Sequence, residues 1–250
     1  MSFRIVIPAR YASSRFPGKP LALLAGRPML QWVHERARQS GASEVIIATD
    51  DARIEHAARD FGATVMLTAA SHASGTDRIA EVAQRAGWGD DAIVVNLQGD
   101  EPLMPIALLT QVAQLLAAHP AAALATLCAP LQRLEDLLDT NVVKVVCADD
   151  GRALYFSRAP IPWSREGAVA GLASQREFAL ARRHIGLYAY RVGALQRLAA
   201  MPVASLEDCE KLEQLRALQA GMEIRVATAV EAPGPDVNAP EDIARVAARL

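Results

Sequence analysis

Cysteine is scarce. The 250 residues hold only Cys128, Cys147 and Cys209, scattered and without a CxxC pair. That set argues against a disulfide scaffold and against a cysteine zinc site, and it fits a reducing cytoplasm. Aromatic residues make up 5% of the chain against 52% apolar and 22% charged, the balance of alanine-rich helices around aliphatic strands rather than of disorder. A formal net charge of −2 gives no general pull toward nucleic acid, so basic groups must act locally. No run of about 18 apolar residues occurs, so no membrane span is expected. The first apolar run, Phe3 to Ile7, is broken by Arg4 and is too short for a signal peptide. A soluble cytoplasmic protein is the expectation.

Several motifs are missing as well. The Walker pattern fails because Lys19 is followed by Pro20 and no glycine stands five before Gly18. GxGxxG is absent, which removes a dehydrogenase reading. The histidines form no HExxH, and no GxSxG or catalytic Cys/His pattern appears.

What is present is an alternation of periods. "FRIVIP" reads as a buried strand, "MLQWVHERARQSG" as a helix closed by glycine, and "EVIIATD" as the next strand. Asp50 or Asp51 then caps "DARIEHAARDFG". "TVML", "TDRIAEVAQRAG", "DAIVVNLQGDEP", "PIALLTQVAQLLAAH" and "AALATLCAP" continue the pattern, with proline in the first turn of the fourth helix. Such units predict an α/β fold with a mostly parallel sheet. Later, "NVVKVVCADDGRALYFSR" predicts an antiparallel hairpin and "RRHIGLYAYR" a strand. "LEDCEKLEQLRALQAG" predicts one charged amphipathic helix, followed by a strand and a C-terminal helix. No linker divides the chain, so residues 1–250 read as one domain with a mixed subregion inserted at about 130–200.

Ligands of open α/β sheets bind beyond the carboxyl ends of the strands. Arg10, Arg15 and Lys19 crowd the loop after the first strand, where charged side chains can grip phosphate without a glycine cradle. In "NLQGDEP", Gly99 permits an unusual backbone angle that aims Asp100 over the sheet, and an aspartate there suits Mg²⁺ or an ordinary turn. Ser74 or Thr76 caps the helix that carries Arg78, which faces either a nucleotide or solvent. His184, beside two arginines, either binds an anionic substrate or serves only the core.

Seven segments then carry a resemblance: "IPARYASSRFPGKPL", "HASGTDRIAEV", "VVNLQGDEP", "NVVKVV", "ALYFSRAPIPW", "RHIGLYAYR" and "LEDCEKLEQLR". In this order, over nearly the whole chain, they resemble the 3-deoxy-manno-octulosonate cytidylyltransferase (CMP-Kdo synthetase) family of lipopolysaccharide biosynthesis. The resemblance implies a Rossmann-like nucleotidyltransferase fold with an inserted mixed α+β dimerisation subregion. It further implies CTP and 3-deoxy-D-manno-octulosonate (Kdo) as substrates, CMP-Kdo and diphosphate as products, Mg²⁺ as cofactor, and a homodimer.

Carried over residue by residue, the resemblance places Arg10 and Lys19 on the triphosphate, with Arg15, Ser74 and Arg78 near the nucleotide. Gln98 falls near the sugar and Asp100 on the metal, so that Arg10, Lys19 and Asp100 form the implied catalytic set. Arg158, His184, Tyr188, Glu210 and Gln214 fall on the sugar pocket, with Arg158 and His184 available for the sugar carboxylate. One departure stands out. The second metal-binding aspartate of the family is replaced by Asn238, and Asp236 lies two residues earlier as an alternative carboxylate.

Overall fold

The computed structural model describes residues 1–12, 16–72, 74–167 and 176–250, so Arg15 lies outside the described residues. Strand β1 (Arg4–Ala9) buries Ile5, Val6 and Ile7 completely, as a strand covered on both faces must. A 3₁₀ turn at Lys19–Leu21 and a small hairpin of β2 (Leu23–Leu24) and β3 (Arg27–Pro28) lead into α1 (Met29–Gln39). Then follow β4 (Glu44–Thr49), α2 (Ala52–Asp60), β5 (Thr64–Leu67), α3 (Gly75–Arg85), β6 (Ile93–Asn96), α4 (Ile106–Ala118) and β7 (Leu124–Pro130). Asp51 is the cap of α2, accepting from the Arg53 amide at 2.9 Å. Ser74 and Asp77 cap α3 reciprocally, at 3.1 and 3.2 Å. Pro105 stands just outside α4, at its N-cap, rather than within the first turn.

The second half adds α5 (Leu134–Leu138), β8 (Lys144–Cys147), β9 (Ala153–Ser157), β10 (Arg182–Arg191), α6 (Val192–Ala200), α7 (Ser205–Glu210), α8 (Gln214–Gln219), β11 (Ile224–Thr228) and α9 (Asp242–Ala247). The main sheet runs β11-β7-β10-β6-β1-β4-β5, with β8 and β9 attached beside β10. β1, β4, β5 and β6 are parallel, as are β7 and β11, whereas β10 is antiparallel to both of its neighbours, β6 and β7. β10 and α6 thus belong to the main layers, and the inserted stretch narrows to the chain between β7 and β10. One face of the sheet buries Leu30, Ile54 and Leu109 from α1, α2 and α4. The other buries Ile79, Leu195 and Leu215 from α3, α6 and α8. Among the described residues no helix is long and apolar enough to cross a membrane.

The single helix expected over "LEDCEKLEQLRALQAG" is two. Lys211 ends α7 in the left-handed region at φ 53°, which costs a side-chain-bearing residue roughly 1–2 kcal/mol. The buried Arg216 guanidinium donates to both Glu207 oxygens at 2.7 and 2.5 Å, and this pairing locks α7 against α8 across the break. β10 carries a bulge between Ile185 and Tyr188. The buried Thr126 hydroxyl lies 3.0 and 2.8 Å from the Ile185 and Leu187 carbonyls that the bulge removes from the ladder.

Candidate active site

The carboxyl ends of β1 and β6 and the start of α3 surround a cavity of about 580 Å³. Arg10, Lys19, Ser74, Arg78, Gln98 and Asp100 all line it. Local chemistry explains the arrangement. Gly18 takes φ 73° to turn the chain back against the Tyr11 ring and so delivers Lys19. Gly99 needs no positive φ. An added Cβ there would stand 3.1 Å from the Pro8 carbonyl oxygen, so its absence is what lets the β6 turn approach β1. Arg78 is not a surface residue: it is 4% exposed and donates to Asp50 at 2.9 Å and to Thr68. The N-terminal turn of α3 adds amide donors and the positive end of a helix dipole, a setting that favours anions.

Lys19 Nζ lies 2.5 Å from Asp100 Oδ2 and donates to the Val237 carbonyl at 3.1 Å. The Val237 amide in turn donates to the Asp100 carbonyl at 3.1 Å, which holds the 236–238 stretch beside Asp100. Asn238 Nδ2 donates to Asp236 Oδ2 at 2.9 Å, leaving the Asn238 amide oxygen as an acceptor. Beside them Glu101 has an oxygen, Oε2, that is buried without a hydrogen-bond partner among the described residues. Burial, then the charges of Asp100 and Asp236, push the Glu101 carboxyl up to about 8. These donors fit Mg²⁺. Asp100 already attracts a cation, the lysine ammonium, and an orphaned acidic oxygen stands close by. Among the described residues no group of three or more acidic, His or Cys side chains could itself hold a metal. Mg²⁺ takes one or two carboxylates and completes its shell with water and phosphate oxygens.

A second cavity, of about 330 Å³, opens on the far side of Gly75, Gln98 and Glu213, which line both. His184, Tyr188 and Gln214 line it, together with Asn141–Val143. His184 is packed 5.0 Å from the Phe156 ring and 5.3 Å from the Tyr188 ring. Burial, then the charge of Arg183, holds the His184 imidazole down to about 3, so it is neutral at pH 7. Its Nε2 lies 2.9 Å from Thr126 Oγ1. The one hydroxyl proton of Thr126 is already directed at the bulge carbonyls. Hydrogen-bond balance therefore puts the imidazole proton on Nε2 and leaves Nδ1 an acceptor. The Tyr188 hydroxyl is buried without a hydrogen-bond partner among the described residues.

A cytidylyltransferase family model matches residues 4–224. The 3-deoxy-manno-octulosonate cytidylyltransferase of Thioalkalivibrio sulfidiphilus is 58% identical over 246 residues, 98% of each chain. That of Pseudomonas fluorescens is 53% identical over 245 residues, 98% of this chain and 96% of its own. The chain belongs to the 3-deoxy-manno-octulosonate cytidylyltransferase family. A solved CMP:2-keto-3-deoxy-manno-octonic acid synthetase complexed with CTP matches with TM-score 0.89 and 42% identity, over 100% of this chain and 98% of that one.

Arg158 and Glu210, which the family resemblance puts on the sugar, pair with each other beside β9 in this structure. Glu210 accepts from the Ser157 hydroxyl at 2.6 Å and from the Arg158 amide at 2.8 Å, and Arg158 Nε donates back to the Glu210 carbonyl at 2.7 Å. The pair clamps the end of β9 to α7, and neither residue lines the two cavities described. The break at Lys211 turns the next residues inward instead, so Glu213 reaches the shared wall. Burial pushes its carboxyl up despite a 2.6 Å hydrogen bond from Thr76. The sequence does not single out Glu213, because a continuous amphipathic helix hides which glutamate faces in. The adjacent Gln214 was the available signal. His184, by contrast, lines the second cavity as a neutral ring, able to hydrogen-bond there but not to add a positive charge.

Proposed function

We propose that this chain catalyses CTP + Kdo → CMP-Kdo + diphosphate. The observation that carries the reading is the pair of cavities sharing the wall of Gly75, Gln98 and Glu213. A nucleoside triphosphate in the larger cavity and an acid sugar in the smaller one would meet at that wall, with their orientation fixed before reaction. The anomeric oxygen attacks the α-phosphorus in line. A new P–O bond forms, the bond to the bridging oxygen of the leaving diphosphate breaks, and that oxygen keeps the electron pair. Arg10 and Lys19 offset charge on the diphosphate, and the start of α3 adds its dipole. Glu213, with a raised carboxyl pKa and Thr76 on one oxygen, is placed to accept the hydroxyl proton on Oε1. His184 Nδ1 accepts from a sugar hydroxyl. Mg²⁺ would be held by Asp100 with the oxygen of Asn238 or a carboxylate oxygen of Asp236, and when bound it supplies charge neutralisation at the phosphates.

The same reading includes a homodimer built on the inserted stretch. It is supported by the exposure of Trp163, at 40%, and Leu180, at 77%, beside an apolar groove. Light scattering tests it. A nucleotide substrate and three cysteines without a disulfide are compatible with a cytoplasmic enzyme. The deciding experiment is diphosphate release from CTP and Kdo, with and without Mg²⁺. CTP binding with no Mg²⁺-dependent release would refute the catalytic reading, and release with another acid sugar in preference to Kdo would refute the substrate.

A further inference from the structure

Lys144 is among the largest wholly buried side chains in the protein, at 0% exposure. An ammonium in that setting must satisfy its three donors or lose several kcal/mol of hydration unreturned. Here Nζ donates to the carbonyls of Asp139, Val142 and Arg158 at 2.9, 2.6 and 2.7 Å. All three donors are spent on backbone, so Lys144 has none left for a ligand. What it holds is the informative part. Asn141, Val142 and Val143 form one side of the second cavity, and the Val143 carbonyl accepts from the His184 amide at 2.8 Å. Arg158, at the third carbonyl, ties the same loop again by donating from Nη1 to Thr140 at 2.9 Å. One buried charge thus joins the loop after α5, the base of β8 and the end of β9.

We propose that Lys144 is a positioning residue for the acid sugar: its ammonium fixes the Asn141–Val143 wall against His184 without touching substrate. This rests on the reading that the second cavity takes the sugar. Hydrogen-bonded only to backbone carbonyls, Lys144 sets the shape of that cavity and leaves the nucleotide cavity alone. The effect should therefore divide between the two substrates.

The test uses the full-length enzyme with Lys144→Met, which keeps the stem and removes the donors, and Lys144→Gln, which keeps a shorter donor. Lys144→Met should raise the KM for Kdo by about tenfold or more, since a wall displaced by about 1 Å loses that much positioning. The KM for CTP should stay unchanged, amide exchange should quicken at 139–143, and Lys144→Gln should fall between. A folded Lys144→Met with unaltered KM for Kdo overturns the proposal. So does an equal rise for both substrates, which would mark a general structural role. If the methionine variant does not fold, Lys144→Gln decides by the same split. Gln214→Ala is the control for the underlying reading. A KM for Kdo that ignores Gln214→Ala removes the sugar from this cavity. A response to Gln214→Ala with none to the Lys144 variants removes Lys144 alone.

Discussion

Replacing Lys19 by methionine should let the protein bind a divalent cation without nucleotide. In the free enzyme the Lys19 ammonium sits 2.5 Å from Asp100 Oδ2, with side chains only 16% and 29% exposed, so an incoming cation competes with it for the carboxylate. A hydrogen bond to a charged group is worth about 1.5–3 kcal/mol net, and the variant no longer spends that energy on breaking one. At 1.36 kcal/mol per tenfold, apparent Mn²⁺ affinity should rise about ten- to a hundredfold. Mn²⁺ titration followed by electron paramagnetic resonance reads this directly, independent of turnover. Wild-type protein should gain comparable affinity only once CTP is added, because the triphosphate draws Lys19 away. Equal Mn²⁺ binding by wild type and Lys19→Met in the absence of CTP would refute the reasoning. So would a gain that persists in Lys19→Met/Asp100→Asn, since the competed carboxylate is then missing.

Three further outcomes follow from the same geometry. Glu213→Gln should lower kcat for diphosphate release by roughly a hundredfold or more, the scale of a lost general base, with little change in KM for CTP. His184 is held down to about 3 in the fold against an ordinary 6.5, so the unfolded chain binds the extra proton between those values. Its contribution is present above pH 6.5 and is lost as pH falls, about 2 kcal/mol by pH 5. Urea unfolding at pH 5 and 7.5 should show a smaller difference in His184→Gln than in wild type, and an equal difference would show that the ring titrates normally. Lys211→Gly should raise the melting temperature through relief of about 1 kcal/mol of left-handed strain, and a lower melting temperature would mean that the lysine stem packs more usefully than the strain costs.

What could be read from the sequence was local. The buried run of β1, the cap positions of α2 (Asp50 or Asp51) and α3 (Ser74 or Thr76), and the β8–β9 hairpin all announce themselves within a few residues. The loop through Lys19 and the turn at Asp100 were also placed correctly at strand ends, because parallel units put those ends on one side of a sheet. The errors were non-local. Nothing near Lys211 declares a break in an otherwise amphipathic stretch, because the Arg216–Glu207 pair that secures it becomes visible only after folding. The sequence therefore does not distinguish Glu213, which lines both cavities, from Glu210, which does not. His184 follows two arginines in sequence but packs between two aromatic rings in space, a setting that the sequence around it does not announce. The alternation of β10 marked it as a strand, yet pattern alone could not seat it antiparallel between β6 and β7.

That seat has a consequence for synthesis on the ribosome. Until residues 182–191 emerge, β6 and β7 each present an open edge, because the strand that joins them is made long after both. The nascent chain therefore cannot complete its sheet in order of translation. It must keep the open edge of β6 and the wholly unpaired β7, whose other neighbour β11 is made later still, from pairing wrongly, the condition under which edge-to-edge aggregation competes with folding. Fragments ending before β10 should behave as sticky intermediates rather than as a free nucleotide-binding half, and the two cavities become one site only when that late strand closes the gap.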